Sequence, residues 1–341
     1  MQIGVIGAGR MGSEHARVAA QVDGVDAVLV ADQDELRAEA VAASIAGGRA
    51  VAVAELMGGA ADALIVAAPT PVHASLISAA CEQGIPILCE KPVAQSLREA
   101  RDVVAVTEAC GGHVQIGFQR RYDDGFRRAR HALHDGDLGE LLMVRAGTHD
   151  PAPPPLSYLR DSGGVFRDML IHDFDALRYV TGEDVVSVHT TSAVLVDDEI
   201  GRMGDADTVI VTMRLGSGAL AVLTGCRLDP RGYDVRMELF GTRDSVAVGV
   251  DERVPLRSVE PGGLLRAQQP GWDFFIDRFA DAYDAEVRAF VAAVRSGRGI
   301  DEHACSARDG LEAMLVAEAA TRSHARGCEV RIDELREEVA V

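Results

Sequence analysis

The chain has 341 residues, and its 34 basic and 53 acidic side chains give a formal charge of −19 at neutral pH. Apolar residues make up 48% and charged residues 26%, which excludes disorder, collagen and coiled coil as descriptions of the whole chain. The length predicts about two domains. Because the acidic surplus would be repelled by phosphate backbones and anionic lipid, we expect neither a nucleic acid nor a membrane as partner.

The sequence contains no segment typical of a membrane span or a signal peptide. The longest uncharged stretch, Ala63 to Cys81, includes two prolines and several hydroxyl residues. The N-terminus has an apolar strand pattern without a preceding basic region. Six cysteines occur without C-x-x-C spacing, so we expect reduced, mostly buried thiols in a cytoplasmic protein, with a reactive thiol as the alternative.

Short apolar runs alternate with helical patterns from residue 2 to about residue 120. The predicted strands are Gln2–Ile6, Ala27–Ala31, Ala50–Val53, Ala63–Ala67, Pro86–Leu88 and Val114–Phe118, and the predicted helices are Met11–Ala20, Asp34–Ile45, Pro71–Glu82 and Ser96–Ala109. Continuous apolar strands separated by helices indicate a doubly wound parallel α/β sheet of the Rossmann kind, covered on both faces. Ser96 and Glu99 have the spacing of a capping box.

The pattern changes after residue 120. One long helix is predicted at Val165–Val180, alternating strands are predicted at Val209–Leu215, Ala219–Cys226 and Val235–Phe240, and two helices follow at Phe275–Ser296 and His303–Ala325. This order indicates a second, α+β domain with a largely antiparallel sheet. We therefore predict a first domain at residues 1–120 and a second at residues 121–341.

A glycine-rich segment, Gly7-Ala8-Gly9-Arg10-Met11-Gly12, follows the first predicted strand and opens a helix. That context favours a dinucleotide-binding loop over an ordinary glycine turn. Gly7 permits a tight turn, Gly9 lets the backbone approach a pyrophosphate, and Gly12 lets the helix pack on the sheet. Amide groups at the helix start would bind the diphosphate.

Asp32 lies 20 residues beyond Gly12, at the end of the second strand. A carboxylate there accepts hydrogen bonds from the adenosine ribose and repels a 2′-phosphate, so we expect NAD as the cofactor. Arg37, one turn into the next helix, is the feature that keeps NADP open.

Lys91 is the one lysine among 34 basic residues; the other 33 are arginine. A general preference for arginine explains the missing lysines but not the lysine that remains. Lys91 lies in the segment Glu90-Lys91-Pro92, at the end of the fifth predicted strand. Ligands bind at this edge of a parallel sheet. A compact ammonium with an adjustable pKa suits catalysis better than a guanidinium does.

Asp168 and His172 have i, i+4 spacing, which would place both on one face of the predicted long helix. The alternative is an ordinary surface pair, but Lys91 and a dinucleotide fold favour a catalytic role. His172 could take the proton of an alcohol near neutral pH, Asp168 could orient its imidazole, and Lys91 could stabilise the developing alkoxide. Nicotinamide would take the hydride.

The motifs together resemble those of the Gfo/Idh/MocA oxidoreductases, essentially from end to end and especially those of its inositol branch. The resemblance rests on Gly7–Gly12, Pro69–His73, Glu90-Lys91-Pro92, Gly117–Asp123, Gly163-Gly164 with Asp168 and His172, Gly232-Tyr233-Asp234 and residues 278–286. It implies NAD-dependent oxidation of a ring hydroxyl of a neutral cyclitol, with myo-inositol and its 2-keto product as the first candidates.

The resemblance also implies a site. Lys91, Asp168 and His172 would form a catalytic triad between the domains, with His172 as acid/base. The residues implied to bind the cofactor are Gly7, Gly9, Arg10, Met11, Gly12, Asp32, Thr70, His73 and Glu90, and those implied to contact the substrate besides the triad are Arg120, His149, Tyr233 and Tyr283. Packing is the alternative role of the two tyrosines. The antiparallel sheet would form subunit contacts in a homotetramer.

One loop departs from the inositol pattern. After His149 the family tends to have Asn-Pro, whereas this chain has Asp150-Pro151. The substrate could therefore be scyllo-inositol, an aldose or an amino-cyclitol. Two further hypotheses stay open. The protein could be a metal-dependent enzyme that uses Asp168, His172 and Asp175, or a non-catalytic NAD-binding regulator.

Overall fold

The computed structural model describes residues 1–263, 269–297 and 299–340, which form two compact units. The first unit consists of Met1–Tyr122 and Asp281–Glu312, and the second of Asp123–Ala280 and Ala313–Val341. The chain thus leaves the first unit close to the predicted boundary at residue 120. Residues 281–312, which the sequence placed in the second domain, instead belong to the first unit.

The elements are numbered in chain order. The strands are β1 (Gln2–Ile6), β2 (Ala27–Ala31), β3 (Gly48–Ala50), β4 (Ala63–Val66), β5 (Ile87–Glu90), β6 (Val114–Gly117), β7 (Leu141–His149), β8 (Val185–Ala193), β9 (Thr208–Leu215), β10 (Leu220–Cys226), β11 (Asp234–Gly241), β12 (Ser245–Val248) and β13 (Val330–Arg331). The α-helices are α1 (Arg10–Ala19), α2 (Glu35–Ala43), α3 (Val53–Glu55), α4 (His73–Glu82), α5 (Leu97–Cys110), α6 (Asp124–His134), α7 (Leu156–Leu159), α8 (Val165–Asp168), α9 (Ile171–Thr181), α10 (Asp198–Arg202), α11 (Phe275–Arg278), α12 (Ala280–Ser296), α13 (Ala307–Arg326) and α14 (Ile332–Ala340).

The first unit contains the predicted Rossmann sheet. Its six strands are all parallel, in the order β3-β2-β1-β4-β5-β6. Strand interiors such as Val5 and Ile65 are fully buried, as expected for a parallel sheet covered on both faces. Val287, Phe290 and Val291 of α12 belong to the same apolar cluster, which explains why residues 281–312 join this unit.

Local signals predicted several of the element bounds. Ser96 caps α5, where its hydroxyl accepts the Glu99 N–H and the Glu99 carboxylate accepts the Ser96 N–H, as the capping box requires. The third strand was predicted at Ala50–Val53 but lies at Gly48–Ala50, and a helix begins at Val53. Three-residue strands carry too little periodicity to fix their register from sequence.

The two C-terminal helices are shorter than predicted. Phe279 interrupts the predicted helix Phe275–Ser296, and Ala307 rather than His303 begins the next one. Phe279 is buried, and it packs edge-on against the ring of Tyr233. An apolar pattern that continues across such a break reports burial but not the continuity of the backbone.

The second unit contains a seven-stranded sheet in the order β12-β11-β7-β10-β9-β8-β13. All neighbouring pairs are antiparallel except β7 and β10. Alternate residues of β7, such as Val144 and Thr148, are buried, while Met143 and Arg145, on either side of Val144, are exposed. One face of the sheet is therefore covered by helices and the other is open, the pattern expected of an antiparallel sheet.

All six cysteines are free thiols, as predicted. Only Cys81, Cys89 and Cys305 are buried, so the expectation of mostly buried thiols holds for half of them. Burial raises the pKa of Cys89 well above its ordinary value, and the neighbouring Glu90 adds to the effect. Among the described residues, no helix is both long and apolar enough to cross a membrane.

An ion-pair network joins α8 to the C-terminal helices. Glu318 of α13 accepts hydrogen bonds from Arg322, one turn further along, and from Arg167 of α8. Arg322 also contacts Glu338 of α14 at 2.7 Å. Burial alone would raise the pKa of Glu318, but the two guanidinium groups outweigh it and hold that pKa below its ordinary value.

We predict that Glu318→Gln destabilises the second unit in a pH-dependent way. Because the folded-state pKa lies below the unfolded one, the carboxylate contributes stability above about pH 4.3, and this contribution is lost as the pH falls through the folded-state value. Chemical denaturation should show a loss of about 1–2 kcal/mol at pH 7 and a much smaller loss near pH 3. The more exposed Glu338→Gln is the control, with an expected loss below about 0.5 kcal/mol; equal losses at both pH values would contradict the assignment.

Candidate active site

The glycine loop lies between β1 and α1 of the first unit. Gly7 has a φ of +100°, and a Cβ there would lie 2.5 Å from the Ala67 carbonyl oxygen. A Cβ at Gly12 would lie 1.7 Å from the Gly7 carbonyl oxygen. At Gly9, by contrast, a Cβ would meet no described atom within 4 Å. The fold therefore requires Gly7 and Gly12, whereas Gly9 leaves open space where a diphosphate could approach the backbone.

The N-terminus of α1 is suited to an anion. Its N-cap is Gly9, which provides no side-chain hydrogen bond, and its first turn contains no acidic residue. Arg10 and Met11 are the first two helical residues; Arg10 is exposed and Met11 half-buried. The N–H groups of a helix start and the positive end of the helix dipole favour a phosphate at this position.

Asp32 follows β2 and is connected to the glycine loop. Its carboxylate accepts the Ala8 N–H at 2.6 Å and the Asp34 N–H at 2.9 Å, which fixes its orientation beside the loop. The guanidinium of Arg37, the residue that kept NADP open, lies 3.6 Å from the Asp34 carboxylate. This pairing directs the arginine towards Asp34 and supports the expectation of NAD.

Lys91 directly follows β5, and its neighbour Glu90 is fixed from two sides. The His15 imidazole of α1 lies 2.8 Å from one Glu90 oxygen, and the other accepts the Lys91 N–H at 3.3 Å. Tyr283 packs edge-on against His15, with ring centroids 6.0 Å apart. The sequence did not identify His15, because its partner lies 75 residues away. The substrate contact of Tyr283 stays a prediction.

His73 connects two loops of the first unit. The ring is buried, with Nδ1 2.8 Å from the Pro92 carbonyl oxygen and Nε2 2.8 Å from the Ala68 carbonyl oxygen. Both ring nitrogens are thus within hydrogen-bonding distance of backbone carbonyl oxygens, and the cofactor contact of His73 stays a prediction. Thr70 begins a short 3₁₀ turn after β4 and is partly exposed at the same sheet edge.

Asp168 and His172 do not lie on one continuous helix as predicted. Asp168 ends α8, and His172 is the second residue of α9. Between the helices, the Leu170 N–H bonds back five residues to Val165, and a new ladder starts from the Leu170 carbonyl. The junction packs so closely on β10 that a Cβ at Gly225 would lie 3.2 Å from the Leu170 side chain. Periodicity showed that this segment is buried but not where its hydrogen bonds are interrupted.

The Asp168 carboxylate has partners that the sequence did not reveal. The Tyr158 hydroxyl donates to one oxygen at 2.7 Å, and the Arg227 guanidinium lies 3.7 Å from the other. Burial and the adjacent Asp168 charge raise the pKa of Tyr158 far above its ordinary value, so the phenol remains a donor. Arg227 directly follows an apolar predicted strand, and this position is the one sequence signal that could have drawn attention to it.

His149, which was predicted to contact substrate, is the last residue of β7, and its side chain lies on the open face of the sheet. Its Nε2 lies 3.1 Å from the Thr224 hydroxyl, and its Nδ1 lies 4.0 Å from Asp234, on the open face. Its neighbour Thr148 points the other way and donates to the buried Asp173. Because side chains alternate along a strand, Asp150 rather than His149 shares the face of Asp168.

Arg120 and Tyr233 are both buried. Arg120 lies in the 3₁₀ turn Gln119–Tyr122, which follows β6. Tyr233 precedes β11, and its N–H donates to the Trp272 carbonyl at 2.7 Å. The backbone there is tight, since Gly232 has a φ of +130° and a Cβ would lie 2.9 Å from the Trp272 oxygen.

The metal-dependent alternative lacks a suitable cluster. Within the described ranges, one group of three potential ligands comes close enough to hold an ion, namely His149, Asp229 and Asp234. The proposed set of Asp168, His172 and Asp175 is not such a group. Asp234 is already bonded by the Arg236 guanidinium at 2.7 Å, and that positive charge disfavours a cation at the one group found.

Comparisons with known proteins cover both units. Residues 1–118 match the family described as oxidoreductases with an NAD-binding Rossmann fold, and residues 126–247 match the GFO/IDH/MocA C-terminal domain. The inositol 2-dehydrogenase of Rhizobium meliloti is 38% identical over 334 residues, which is 97% of this chain and 99% of that protein.

Two solved structures carry ligands. The myo-inositol dehydrogenase of Lactobacillus casei in complex with NAD(H) and myo-inositol has a TM-score of 0.83 and 26% identity, covering 97% of this chain and 96% of that one. The scyllo-inositol dehydrogenase of the same organism, with NAD(H) and scyllo-inositol, has a TM-score of 0.87 and 25% identity, covering 98% of this chain and 99% of that one.

Two glycine-to-alanine variants of the glycine loop test its role in cofactor binding and in folding separately. Gly9→Ala should fold normally, because its Cβ meets nothing and its φ of −73° suits alanine, but should raise the dissociation constant for NAD about tenfold or more. Gly12→Ala should instead lower the free energy of unfolding by about 3 kcal/mol through its clash with Gly7. Calorimetric NAD titration and denaturation measure the two effects; unchanged NAD affinity in Gly9→Ala would contradict the diphosphate assignment.

Proposed function

This chain belongs to the GFO/IDH/MocA family of oxidoreductases, and from that membership we propose that it oxidises one ring hydroxyl of a cyclitol with NAD, converting myo-inositol to its 2-keto product. The observation that carries the proposal is the end-to-end similarity to inositol 2-dehydrogenases. The open approach to α1 at Gly9, where the fold itself leaves room, supports it independently.

The residues that would hold NAD belong to the first unit. The N–H groups at the start of α1 would bind the diphosphate above Gly9, and Asp32 would accept the adenosine ribose hydroxyls. Thr70 and Glu90 follow neighbouring strands at the same edge of the sheet. When bound, the nicotinamide supplies the acceptor for the hydride that leaves the carbinol carbon.

The proton chemistry is assigned to three side chains. We assign His172 as the base that takes the hydroxyl proton, since an imidazole can accept and return a proton near neutral pH. Lys91 would donate a hydrogen bond to the same oxygen and stabilise the negative charge that develops there. Asp168, held by Tyr158 and Arg227, would supply the fixed carboxylate that orients the imidazole.

The substrate contacts are proposed in a revised form. Arg120 and Tyr233 are kept from the sequence prediction, and Asp150 replaces His149. Asp150 is half-buried and lies 3.7 Å from the guanidinium that also contacts Asp168. A carboxylate accepts hydrogen bonds from two hydroxyls at once, which suits a polyol ring.

The stereochemistry of the substrate is the point at which the relatives diverge, since they include both myo- and scyllo-inositol dehydrogenases. We propose myo-inositol because the Rhizobium meliloti relative of this chain is named an inositol 2-dehydrogenase. A panel of myo-inositol, scyllo-inositol, aldoses and amino-cyclitols, compared by kcat/KM with NAD, ranks these candidates directly.

We predict that the purified protein reduces NAD when myo-inositol is added, followed by absorbance of the reduced cofactor. Lys91→Arg and His172→Gln should lower kcat by about 10²–10⁴-fold while the dissociation constant for NAD changes little. His131→Gln, an exposed histidine of α6, is the control and should retain full activity. Near-normal turnover of Lys91→Arg would refute the triad, and NAD binding without turnover of any polyol would favour a regulator.

We further propose that the open face of the second sheet mediates self-association into the expected homotetramer. Met143, Ile210 and Leu220 of β7, β9 and β10 are exposed on this face, beside the ion pairs Arg145–Glu238 and Arg236–Asp234 of β7 and β11. Apolar residues among complementary charges are typical of subunit interfaces.

Light scattering coupled to gel filtration tests this assembly. The wild-type protein should elute as a tetramer, and Ile210→Asp should shift it to smaller species, because an unpaired carboxylate would be buried in the interface. Val259→Asp, an exposed apolar position outside the sheet, should leave the mass unchanged. A monomeric wild-type protein would overturn the proposal.

A further inference from the structure

Building on the proposed function, we propose that Arg227 is a positioning residue for the reaction, a buried guanidinium that holds the carboxylates of Asp168 and Asp150 fixed in place. Arg227 itself would not touch the reacting atoms. It would act through Asp168, the carboxylate assigned to orient the imidazole, and through Asp150, the carboxylate proposed to face the substrate.

The geometry places Arg227 among three carboxylates of the second unit. Its Nη1 lies 3.7 Å from Asp150 Oδ2 and 3.7 Å from Asp168 Oδ2, and its Nη2 lies 3.9 Å from Asp205 Oδ2. Only 1% of the Arg227 side chain is exposed, and the three carboxylates are largely buried as well. These distances exceed those of a bidentate pair, so the guanidinium is a counter-charge shared by all three.

One positive charge here faces three negative ones. Buried carboxylates repel each other and lose hydration, so without a cation they would take up protons to relieve both effects. A guanidinium suits this position because it stays charged at any working pH, is weakly hydrated, and carries donors in several directions. A shorter, point-like ammonium could not reach three carboxylates from one backbone position.

The surroundings hold this arrangement rigid. The Arg227 N–H donates to the Asp207 carbonyl at 2.9 Å. Burial alone would raise the pKa of the Asp207 carboxyl, but N–H donors of Leu195, Val196 and Asp197 outweigh it and hold that pKa below its ordinary value. The end of β10, which Arg227 follows, is therefore bonded to Asp207, a residue whose own carboxylate is held by several N–H donors.

The same network reaches the helix that carries Asp168. Asp205 accepts the Val165 N–H at 3.0 Å, at the start of α8, and Asp168 is the last residue of that helix. Tyr158 of α7 donates to the Asp168 oxygen not facing Arg227. Asp168 is thus fixed at both oxygens and at both ends of its helix, and a fixed carboxylate is what orientation of an imidazole requires.

The test compares Arg227→Gln and Arg227→Lys with the wild-type protein. In Arg227→Gln we expect kcat for the polyol to fall about 10²-fold and the acid limb of its pH profile to move to higher pH, because the three carboxylates, Tyr158 and His172 then share no cation. Arg227→Lys should restore the pH profile in part but not the full kcat. The dissociation constant for NAD should not change in either variant.

A double variant provides a rescue. Asp205→Asn removes one of the three charges while its amide oxygen can still accept the Val165 N–H, so Arg227→Gln with Asp205→Asn should recover part of the lost kcat. Arg322→Gln is the matched control, because that guanidinium also bridges two carboxylates but lies on α13, and it should lower stability without moving the pH profile.

A readout independent of turnover separates the two proposals. In crystal structures of the two proteins, the Asp168 carboxylate should lie beside the Tyr158 hydroxyl in wild type and be displaced from it in Arg227→Gln. A wild-type protein inactive on every polyol would refute the proposed function but leave this structural comparison decisive for Arg227. An unmoved Asp168 carboxylate and an unchanged pH profile, with only a lower melting temperature, would show a purely structural role; if Arg227→Gln fails to fold, Arg227→Lys is compared in the same way.

Discussion

The candidate site depends on one constraint, namely that a residue at or just beyond the end of a strand can present its side chain in only one direction. Asp32, Lys91, Asp150 and Arg227 all occupy such positions, after β2, β5, β7 and β10. A shift of one residue reverses the face, which is why Asp150 reaches Arg227 while the adjacent His149 contacts Asp234 on the open side. Strand ends therefore select which of two chemically plausible neighbours can serve the site.

Although the formal charge of the chain is −19, several carboxylates are paired with nearby arginines. Two networks of partly buried carboxylates contain arginine guanidinium groups: Arg227 lies among Asp150, Asp168 and Asp205, and Arg167 and Arg322 pair with Glu318. Both networks meet α8, the short helix that ends in Asp168. The strong preference for arginine over lysine serves this purpose, since a planar guanidinium can face several carboxylates at once. The one lysine remains at the sheet edge, where a compact ammonium suits the proposed chemistry.

Two histidines of the first unit fix groups next to predicted site residues. His73 joins the loops that follow β4 and β5 through two backbone carbonyls, and His15 fixes Glu90 beside Lys91. Such contacts are invisible in the sequence because their partners are 5 to 75 residues away. His172 differs from these two histidines because it lies, with Asp168, at the junction of α8 and α9. The helical hydrogen bonds are interrupted at this junction.

The sequence by itself determined the parallel sheet, the glycine loop and the capping box at Ser96, because each depends on periodicity or on the stereochemistry of a few adjacent residues. It also predicted the second, largely antiparallel sheet. It did not determine the break between α8 and α9, the face of His149 or the place of residues 281–312. Those were decided by tertiary packing: the junction at Leu170 fits against Gly225, and α12 completes the apolar core of the first sheet. Arg227 emerged only in three dimensions, because its three carboxylates come from separate segments of the chain that the fold brings around one buried cation.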